Sequence, residues 1–333
     1  MSNTFDTLNS LPGGLLVRPP TMDDAQAITE VIVVCDIDEY GEPDFTEQDL
    51  RSIWQTPGYD MATDSWVVIA PEGQIVGFAT VSDNEHVRMY MYGAVHPAYR
   101  GRGIGTRLMR LAETRARQHI SLAHPDARVT LQNWLSGVNT DAQCLLEQQG
   151  FTDIRHHWRM EIEMLEPPPT PVWPEDITIR TIVPGQDDRA VFEMIDEAFQ
   201  DHWGHMPGNF EKWQNWTVKR KDFDPSLYFL ACDGDELAGS ALCKYQLNIG
   251  WVDDLGVRRP WRRHGLGLAL LHHAFGEFYR RGTYKVGLGV DSQNLTGATR
   301  LYERAGMHIA RQYIGYEKEL RTGVELSTQA IEE

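Results

Sequence analysis

Cysteine is scarce in this sequence, with four residues among 333. They are Cys35, Cys144, Cys232 and Cys243, and no two of them stand at the short spacing of a metal site. This scarcity excludes a disulfide-rich scaffold, which small secreted domains use when their apolar core is insufficient. We expect each cysteine to be a small buried apolar side chain in a reducing compartment.

Long apolar runs are also missing. No segment is long enough to span a bilayer, and the opening residues MSNTFDTLNS lack the apolar stretch of a signal peptide. Basic residues number 31 against 48 acidic ones, so the formal net charge is -17. This balance argues against nucleic acid or an anionic membrane as the main partner. We therefore predict a cytoplasmic protein whose local arginine clusters bind a small anion.

Proline is concentrated in one stretch, MLEPPPTPVWPED, where it stiffens the backbone and excludes a helix. This composition indicates a domain boundary. The prediction is a first domain over residues 1–165, a linker over 166–174, a second domain over 175–320 and an acidic tail over 321–333. We expect the tail to be disordered, as polar chain termini commonly are.

The two domains repeat one order of features. LLVRPPTMDDAQAITEVI and ITIRTIVPGQDDRAVFEMI each read as a strand, a turn and an amphipathic helix. WVVIAPEGQIVGFATV and YFLACDGDELAGSALC each read as a β-hairpin, and each precedes a strand, a glycine-rich turn and a helix. The prediction is an α+β fold of two tandem domains, each a mixed, mostly antiparallel twisted sheet flanked by helices.

The glycine-rich turns are RGRGIG at residues 100–105 and RRHGLG at residues 262–267. A helix start has unpaired N–H groups and a partial positive charge, and glycine lets an anion approach them. Arginines there add charge-assisted hydrogen bonds to phosphate. A dinucleotide-binding turn of the Rossmann type does not fit, because the upstream strands form hairpins rather than a parallel βαβ unit. A plain strand-to-helix connection remains the simpler alternative for a single copy.

These two turns resemble the signature of the GNAT superfamily of acyl-CoA-dependent N-acyltransferases, and the segment from Asn294 to Met307 resembles a later motif of that family. The resemblance covers nearly the whole chain, and its tandem layout is similar to that of two-domain acetyltransferases. It implies that the turn holds the pyrophosphate of coenzyme A, with the pantetheine between two strands that splay apart. By this resemblance the acetyl-CoA-binding residues, possible in both domains, are Leu255, Val257, Arg262, Arg263, His264, Gly265, Leu266, Gly267 and Asn294 in the second domain, and Val95, Arg100, Gly101, Arg102, Gly103, Ile104 and Gly105 in the first.

Acetyl transfer needs a general base for the amine and a general acid for the departing thiolate. Tyr302 occupies the position of the family's acid, whereas the aligned residue of the first domain is Leu146, which cannot donate a proton. Period-two alternation along the strand WVDDLGV places Asp253 on the face of Leu255, so Asp253 is the candidate base. Met91 is expected at its position in the first domain, which we therefore predict to be catalytically degenerate.

The connection between the first two helices of the second domain contains DHWGHMP. In this superfamily that connection borders the acceptor site, so His202 and Trp203 are candidate substrate-binding residues. His202 and His205 have a spacing that could suit a metal, but two ligands fall short of a protein site, and we expect no metal.

The sequence therefore predicts an N-acetyltransferase that moves an acetyl group from acetyl-CoA to a primary amine of a small molecule. A coenzyme A-binding sensor or scaffold without turnover is the alternative.

Overall fold

The structure is a computed structural model, and it describes residues 10–294 and 297–329. The described chain forms two compact units. Unit 1 contains the residues up to Ile154 together with Ile314–Leu326, and unit 2 contains Arg155–Tyr313 together with the described residues from Ser327. The opening residues 1–9 and the last four residues of the predicted tail lie outside the described residues.

The units differ from the predicted boundaries in two segments. The stretch 155–165, expected in the first domain, belongs to unit 2, and the stretch 314–320, expected in the second domain, belongs to unit 1. Each unit is therefore completed by a strand from the other half of the sequence. A strand's own residues do not reveal this, because its hydrogen-bond partners are distant in the chain.

Unit 1 is built around a sheet of six strands in the order in which they occur, followed by the adjoining part of strand β13. Its neighbours are antiparallel except for the parallel pair β5 and β6. The strands are β1 (Ser10–Leu11), β2 (Leu15–Arg18), β3 (Ser65–Ile69), β4 (Ile75–Asn84), β5 (Arg88–Val95) and β6 (Val129–Ser136). The helices are α1 (Ala25–Tyr40), α2 (Glu47–Trp54), α3 (Met61–Asp64), α4 (Ile104–His119) and α5 (Thr140–Gln148).

Unit 2 repeats this plan with the strand order β7-β12-β11-β10-β9-β8. Only β11 and β12 are parallel; the other neighbours are antiparallel. The strands are β7 (Thr152–Glu163), β8 (Ile177–Thr181), β9 (Tyr228–Asp233), β10 (Glu236–Gln246), β11 (Ile249–Val257) and β12 (Lys285–Asp291). Strand β13 (His308–Arg321) belongs to unit 2 up to Tyr313 and to unit 1 from Ile314. The helices are α6 (Asp188–Phe199), α7 (Phe210–Trp216), α8 (Leu266–Arg280) and α9 (Ala298–Arg304).

Helices cover both faces of the unit 2 sheet. On one face α8 buries Phe275 and Phe278 completely against the strands, each worth about 1.5–3 kcal/mol of burial. On the other face α6 buries Val191 and Ile195. We refer to these as the α8 face and the α6 face. The prediction of two tandem domains, each with a mixed, mostly antiparallel sheet flanked by helices, is confirmed.

The four cysteines carry free thiols. Three are buried as expected, but Cys144 is exposed on α5. Among the described residues, no helix combines the length and the apolar character that crossing a membrane requires.

Candidate active site

Strands β11 and β12 separate part of the way along their length. Their parallel pairing joins Gly250 to Val286, Trp251 to Gly287 and Val252 to Leu288, and it ends there. Beyond this point β11 continues to Val257, still paired to β10 on its other side. The separation leaves an opening between two strands within unit 2, as the family resemblance implied.

A β-bulge in β11 lies at the start of this opening. Leu242 of β10 pairs with Asp254, but the next residue, Cys243, pairs with Val252. Two residues of β10 therefore face three of β11, and Asp253 is the extra residue. A bulge of this kind ends the simple alternation of side chains along a strand.

Asp254 keeps the face opposite Leu255 that alternation predicts, and the bulge changes the alternation only before it, at Asp253. Val252 packs in the core of the α8 face, and so do Leu255 and Val257, although alternation alone would separate Val252 from them. Asp254 is directly opposite Leu242, which belongs to the core of the α6 face. Because opposite residues of an antiparallel pair project to the same side, Asp254 lies on the α6 face. Asp253 does not share a face with Leu255 as the sequence pattern predicted.

The environments of the two aspartates differ. Asp253 is exposed and accepts a hydrogen bond from Lys244 Nζ at 2.8 Å. Burial raises the pKa of Asp254 to about 7, and the negative charge of Asp253 adds to the increase. A carboxyl group with a pKa near neutrality can exchange protons at physiological pH, so Asp254 is the better candidate base.

Tyr302 lies on α9 and is buried, with 8% of its surface exposed. Burial raises the pKa of its phenol to about 12, and the charge of Asp254 contributes to the increase. This influence brings Tyr302 and Asp254 into one electrostatic environment. Within residues 10–294 and 297–329 the phenolic oxygen has no hydrogen-bond partner, so its proton is available to a bound molecule.

The glycine turn of unit 2, residues 262–267, leads from the 3₁₀ turn at Arg259–Trp261 into α8. Gly265 is the N-cap residue at φ 87°, and a side chain there would meet nothing within 4 Å. Arg263 also has a positive φ of 67°, and it is exposed together with His264. The open approach to the first amides of α8 fits the binding of an anionic group.

Gly267 and Gly105 also lie against neighbouring helices. A Cβ on Gly267 would lie 3.2 Å from Leu301 of α9, and a Cβ on Gly105 would lie 3.0 Å from Leu145 of α5. Their missing side chains therefore allow two helices to pack closely. At the two helix starts these glycines can contact a ligand only through their backbone N–H groups. The same holds for Leu266 and Ile104, because their side chains are buried.

Arg262 is held by the protein itself. Its guanidinium donates to Asp201 at 2.6 Å, to the carbonyl of Ala198 at 2.9 Å and to the carbonyl of Val257 at 2.9 Å. Arg259 also contacts Asp201, and hydrogen bonds from Arg259 and Arg262 lower the pKa of this buried carboxyl group to about 2. Arg262 therefore fixes the turn to the end of α6, and Arg263 is the arginine exposed toward a ligand.

Other predicted contacts are likewise used within the fold. The side-chain oxygen of Asn294 accepts a hydrogen bond from the backbone N–H of Ala298, the first residue of α9, at 3.1 Å. The carbonyl of Val257 accepts a hydrogen bond from Arg262 and is therefore not available to a ligand. The backbone of β11 that borders the opening is then that around Leu255.

His202 and Trp203 follow α6, close to the end of the predicted tail. The ring of His202 is 4.4 Å from that of Phe199, and burial lowers its pKa. Trp203 Nε1 donates to Gln329 at 2.9 Å, and the N–H of Gly204 donates to the carbonyl of Thr328 at 2.6 Å. The tail is therefore ordered through residue 329, in contrast to the prediction.

Unit 1 repeats the glycine turn at residues 100–105. Gly103 caps α4 at φ 78°, and Gly101, at φ 75°, stands where unit 2 has Arg263. Arg100 donates to Asp38 at 2.6 Å, which repeats the pair of Arg262 with Asp201. Arg102 lies over the ring of Tyr99, 4.6 Å from its centre.

Unit 1 has other residues at the positions of Asp254 and Tyr302. Strands β4 and β5 pair without a shift of register up to Val95, so β5 has no bulge. Thr80 pairs with Tyr92 at the position where Leu242 pairs with Asp254 in unit 2. Tyr92, not Met91, therefore corresponds to Asp254. Tyr92 stacks on Phe45 with ring centres 6.1 Å apart.

Helices α5 and α9 end in the same way, which supports the alignment of Leu146 with Tyr302. The carbonyl of Leu146 accepts from Phe151 N–H at 3.0 Å, and that of Tyr302 accepts from Met307 N–H at 3.0 Å. Leu146 is buried with 2% of its surface exposed.

Sequence reasoning missed Asp254 as the acid of interest and Asp201 as the partner of Arg262. A signal for Asp201 was present, since Asp38 and Asp201 stand at matching positions of the two repeats, as do Arg100 and Arg262. No comparable signal marks the bulge.

Known proteins resemble the chain over most of its length. The model of the acetyltransferase (GNAT) family matches residues 26–151 and 189–307. A mycothiol acetyltransferase of Thermobispora bispora is 33% identical over 226 residues, which is 64% of this chain and 70% of that protein. The mycothiol acetyltransferase of Streptomyces scabiei is 32% identical over 253 residues, covering 74% of this chain and 75% of the relative.

Solved structures show the same arrangement. A GCN5-related N-acetyltransferase from Sphaerobacter thermophilus superposes with a TM-score of 0.80 at 40% identity, covering 96% of this chain and all (100%) of that one. A tandem GNAT protein from the clavulanic acid biosynthesis pathway has a TM-score of 0.72 at 16% identity, with 93% and 100% covered, and supports the fold alone.

Proposed function

Because the chain belongs to the acetyltransferase (GNAT) family, we propose that unit 2 transfers an acetyl group from acetyl-CoA directly to a primary amine of a small molecule. The family uses acetyl-CoA, and when bound this group supplies an acetyl thioester, an acyl donor that a neutral amine can attack. The proposal concerns the acceptor, the residues that act and the unit in which they lie.

The residues of the unit 2 turn fit the anionic end of coenzyme A. Gly265 leaves open space at the start of α8, and Arg263 and His264 are exposed beside it. The first amides of α8 and the charge of Arg263 would hold the diphosphate. The exposed backbone around Leu255, beyond the last pair of β11 with β12, would hold the arm that carries the thioester.

Asp254 would remove the proton from the attacking amine, directly or through a water molecule. Asp254 lies on the α6 face of the sheet, and the connection that contains His202 and Trp203 directly follows helix α6. The amine would therefore approach from this face. The pKa of about 7 makes Asp254 a base only when deprotonated, and activity should therefore rise as pH increases through about 7.

Tyr302 would donate its proton to the departing sulfur. With a pKa of about 12 the phenol is protonated throughout the neutral range, as a general acid must be. The single observation that carries the proposal is the pairing of Asp254 with Leu242, which places Asp254 on the α6 face next to the point where β11 and β12 separate.

A panel of amines tests the proposal by release of free coenzyme A thiol. It should include mycothiol-related amines, because the relatives named mycothiol acetyltransferase cover most of the chain. Rapid thiol release with one amine class, together with the acetylated product by mass spectrometry, is the expected result. Slow hydrolysis with every amine would instead favour a coenzyme A sensor without turnover.

We propose that unit 1 supports the fold and keeps the glycine turn but does not catalyse acetyl transfer. Calorimetry with coenzyme A counts the sites: two would mean that both turns bind, and one would restrict binding to unit 2. A chain that binds none would contradict the proposed function.

A further inference from the structure

Two histidines and one aspartate converge in unit 1, away from the residues discussed so far. Asp83 lies near the end of β4, His86 in the turn between β4 and β5, and His119 at the last position of α4. One ligand atom of each residue, either an imidazole nitrogen or a carboxylate oxygen, lies within 4.8 Å of those of the other two. The fold thus brings His119 to the other two residues, although it stands 33 positions after His86 and 36 after Asp83 in the sequence.

The turn that carries His86 is conformationally unusual. Glu85 has φ 54° and His86 has φ 60°, so two consecutive residues with side chains occupy the left-handed region. Hairpin turns of this geometry normally use asparagine or glycine at these positions. The conformation is held by Asp83, which accepts from the backbone N–H of His86 at 2.7 Å and also contacts the imidazole Nδ1.

His119 approaches the same carboxylate from the helix. Its Nδ1 is 2.7 Å from Oδ2 of Asp83, and its side chain is only 10% exposed. The rings of His86 and His119 are 6.0 Å apart, centre to centre. Both Nδ1 atoms therefore point at one oxygen, and the side chain of His86, 44% exposed, leaves a path to solvent.

We propose that Asp83, His86 and His119 bind one divalent cation of the zinc class. Two imidazole nitrogens and one carboxylate oxygen suit zinc and its neighbours in the transition series better than magnesium or calcium, which prefer oxygen ligands. Water would fill the fourth position on the exposed side of His86. The expectation of no metal rested on His202 and His205, which are not part of this group.

The distances are compatible with this proposal after small side-chain movements. Tetrahedral zinc with ligands at about 2.0–2.1 Å separates the ligand atoms by about 3.3 Å. The contacts to Asp83 are somewhat shorter because hydrogen bonds join these residues when no ion is bound. Rotation of the partly exposed His86 ring and of the Asp83 carboxylate would open the required space.

The ion would stabilise the fold rather than take part in acyl transfer. Strand β5 runs from Arg88 beside the cluster to Val95 before the glycine turn, a distance of about 23 Å. Helix α4 begins at that turn and ends at His119, about 24 Å away. The cation would thus fasten the β4–β5 turn to the far end of α4.

Titration of the full chain, freed of metal with a chelator, tests the proposal. Calorimetry with Zn²⁺ should show one site with micromolar or tighter affinity, and Co²⁺ should give the intense visible absorption of a tetrahedral site with nitrogen ligands. His119→Ala should weaken Zn²⁺ binding at least 100-fold. His124→Ala, which removes an exposed histidine of the same unit, should leave it unchanged.

Because His119 is buried, a second variant guards against misfolding. His86→Ala removes an exposed ligand and should also abolish the cobalt spectrum while far-UV circular dichroism is retained. Zn²⁺ should raise the melting temperature of the unaltered chain by about 5 °C at 100 times Kd, and not that of His86→Ala. Absence of a stoichiometric site, or equal binding by His86→Ala and the unaltered chain, would overturn the proposal.

Discussion

Units 1 and 2 both place a left-handed glycine before a helix, and both fix the preceding arginine with an aspartate. They differ at the strand that leads to this turn. Strand β11 contains an extra residue, Asp253, whereas β5 pairs with β4 without interruption. The glycine turn is therefore present in both units, whereas a carboxyl group and a phenol, Asp254 and Tyr302, stand in unit 2 where unit 1 has Tyr92 and Leu146.

The two units have different residues at the positions of Asp254 and Tyr302. In unit 2, burial raises the pKa of the Tyr302 phenol, and the negative charge of Asp254 adds to the increase. Their equivalents in unit 1, Tyr92 and Leu146, pack as apolar groups. Neither residue supplies a carboxyl group, and leucine has no proton to donate, so these two positions of unit 1 lack the combination of carboxyl group and phenol found in unit 2.

The largest expected effect follows from Asp254→Asn. Without a base, kcat/KM should fall by about 10³-fold, and the rise of activity with pH through about 7 should disappear. Steady-state kinetics from pH 5 to 9 measures both. An unchanged pH profile would mean that another group accepts the proton.

The same variant should be more stable above pH 7. A carboxyl group with a raised pKa in the folded chain costs stability as pH rises from its ordinary value near 4 toward about 7. Asparagine removes this cost, about 1–3 kcal/mol, so the gain should be present at pH 8 and absent at pH 4. Urea denaturation at the two pH values measures it.

Tyr302→Phe should reduce kcat by about 10²-fold with little change in coenzyme A affinity, since only the proton of the phenol is lost. The reverse change in unit 1, Leu146→Tyr, should create no activity, because unit 1 still has Tyr92 where unit 2 has the proposed base Asp254. Turnover equal to that of the unaltered chain in Tyr302→Phe would assign the general acid elsewhere.

The glycine turns offer a matched pair of variants. Gly265→Ala and Gly103→Ala both force a side chain into the left-handed region and should each cost about 1–2 kcal/mol of stability. Only Gly265→Ala should raise the KM for acetyl-CoA, by about 10-fold, because its methyl group enters the open space at α8. Equal increases in both variants would show that the turn of unit 1 contributes to turnover.

The smallest effect is expected for Asp253→Asn. It removes the like charge that raises the pKa of Asp254 and leaves Lys244, whose charge lowers that pKa. The acid limb of the pH–rate profile should therefore move to lower pH, by less than about 1 unit, with little loss of maximal rate. A loss as large as that of Asp254→Asn would restore Asp253 as the base.

Much of the fold could be predicted from the sequence because it is repeated there. The duplicated hairpins, turns and helix ends gave the α+β class, the tandem layout and the alignment of Leu146 with Tyr302. The closing strands 155–163 and 314–321 could not be assigned to their units, because a strand's sequence does not name the strand beside it.

For the site, the sequence determined which residues stand at the turn and which helix carries the phenol, since these depend on local spacing. The tertiary structure alone decided that Arg262 binds Asp201 and that Asp253 is an extra residue of β11. Both outcomes depend on partners distant in sequence. The register between β10 and β11 fixes the extra residue, and one extra residue reverses the face of every side chain beyond it.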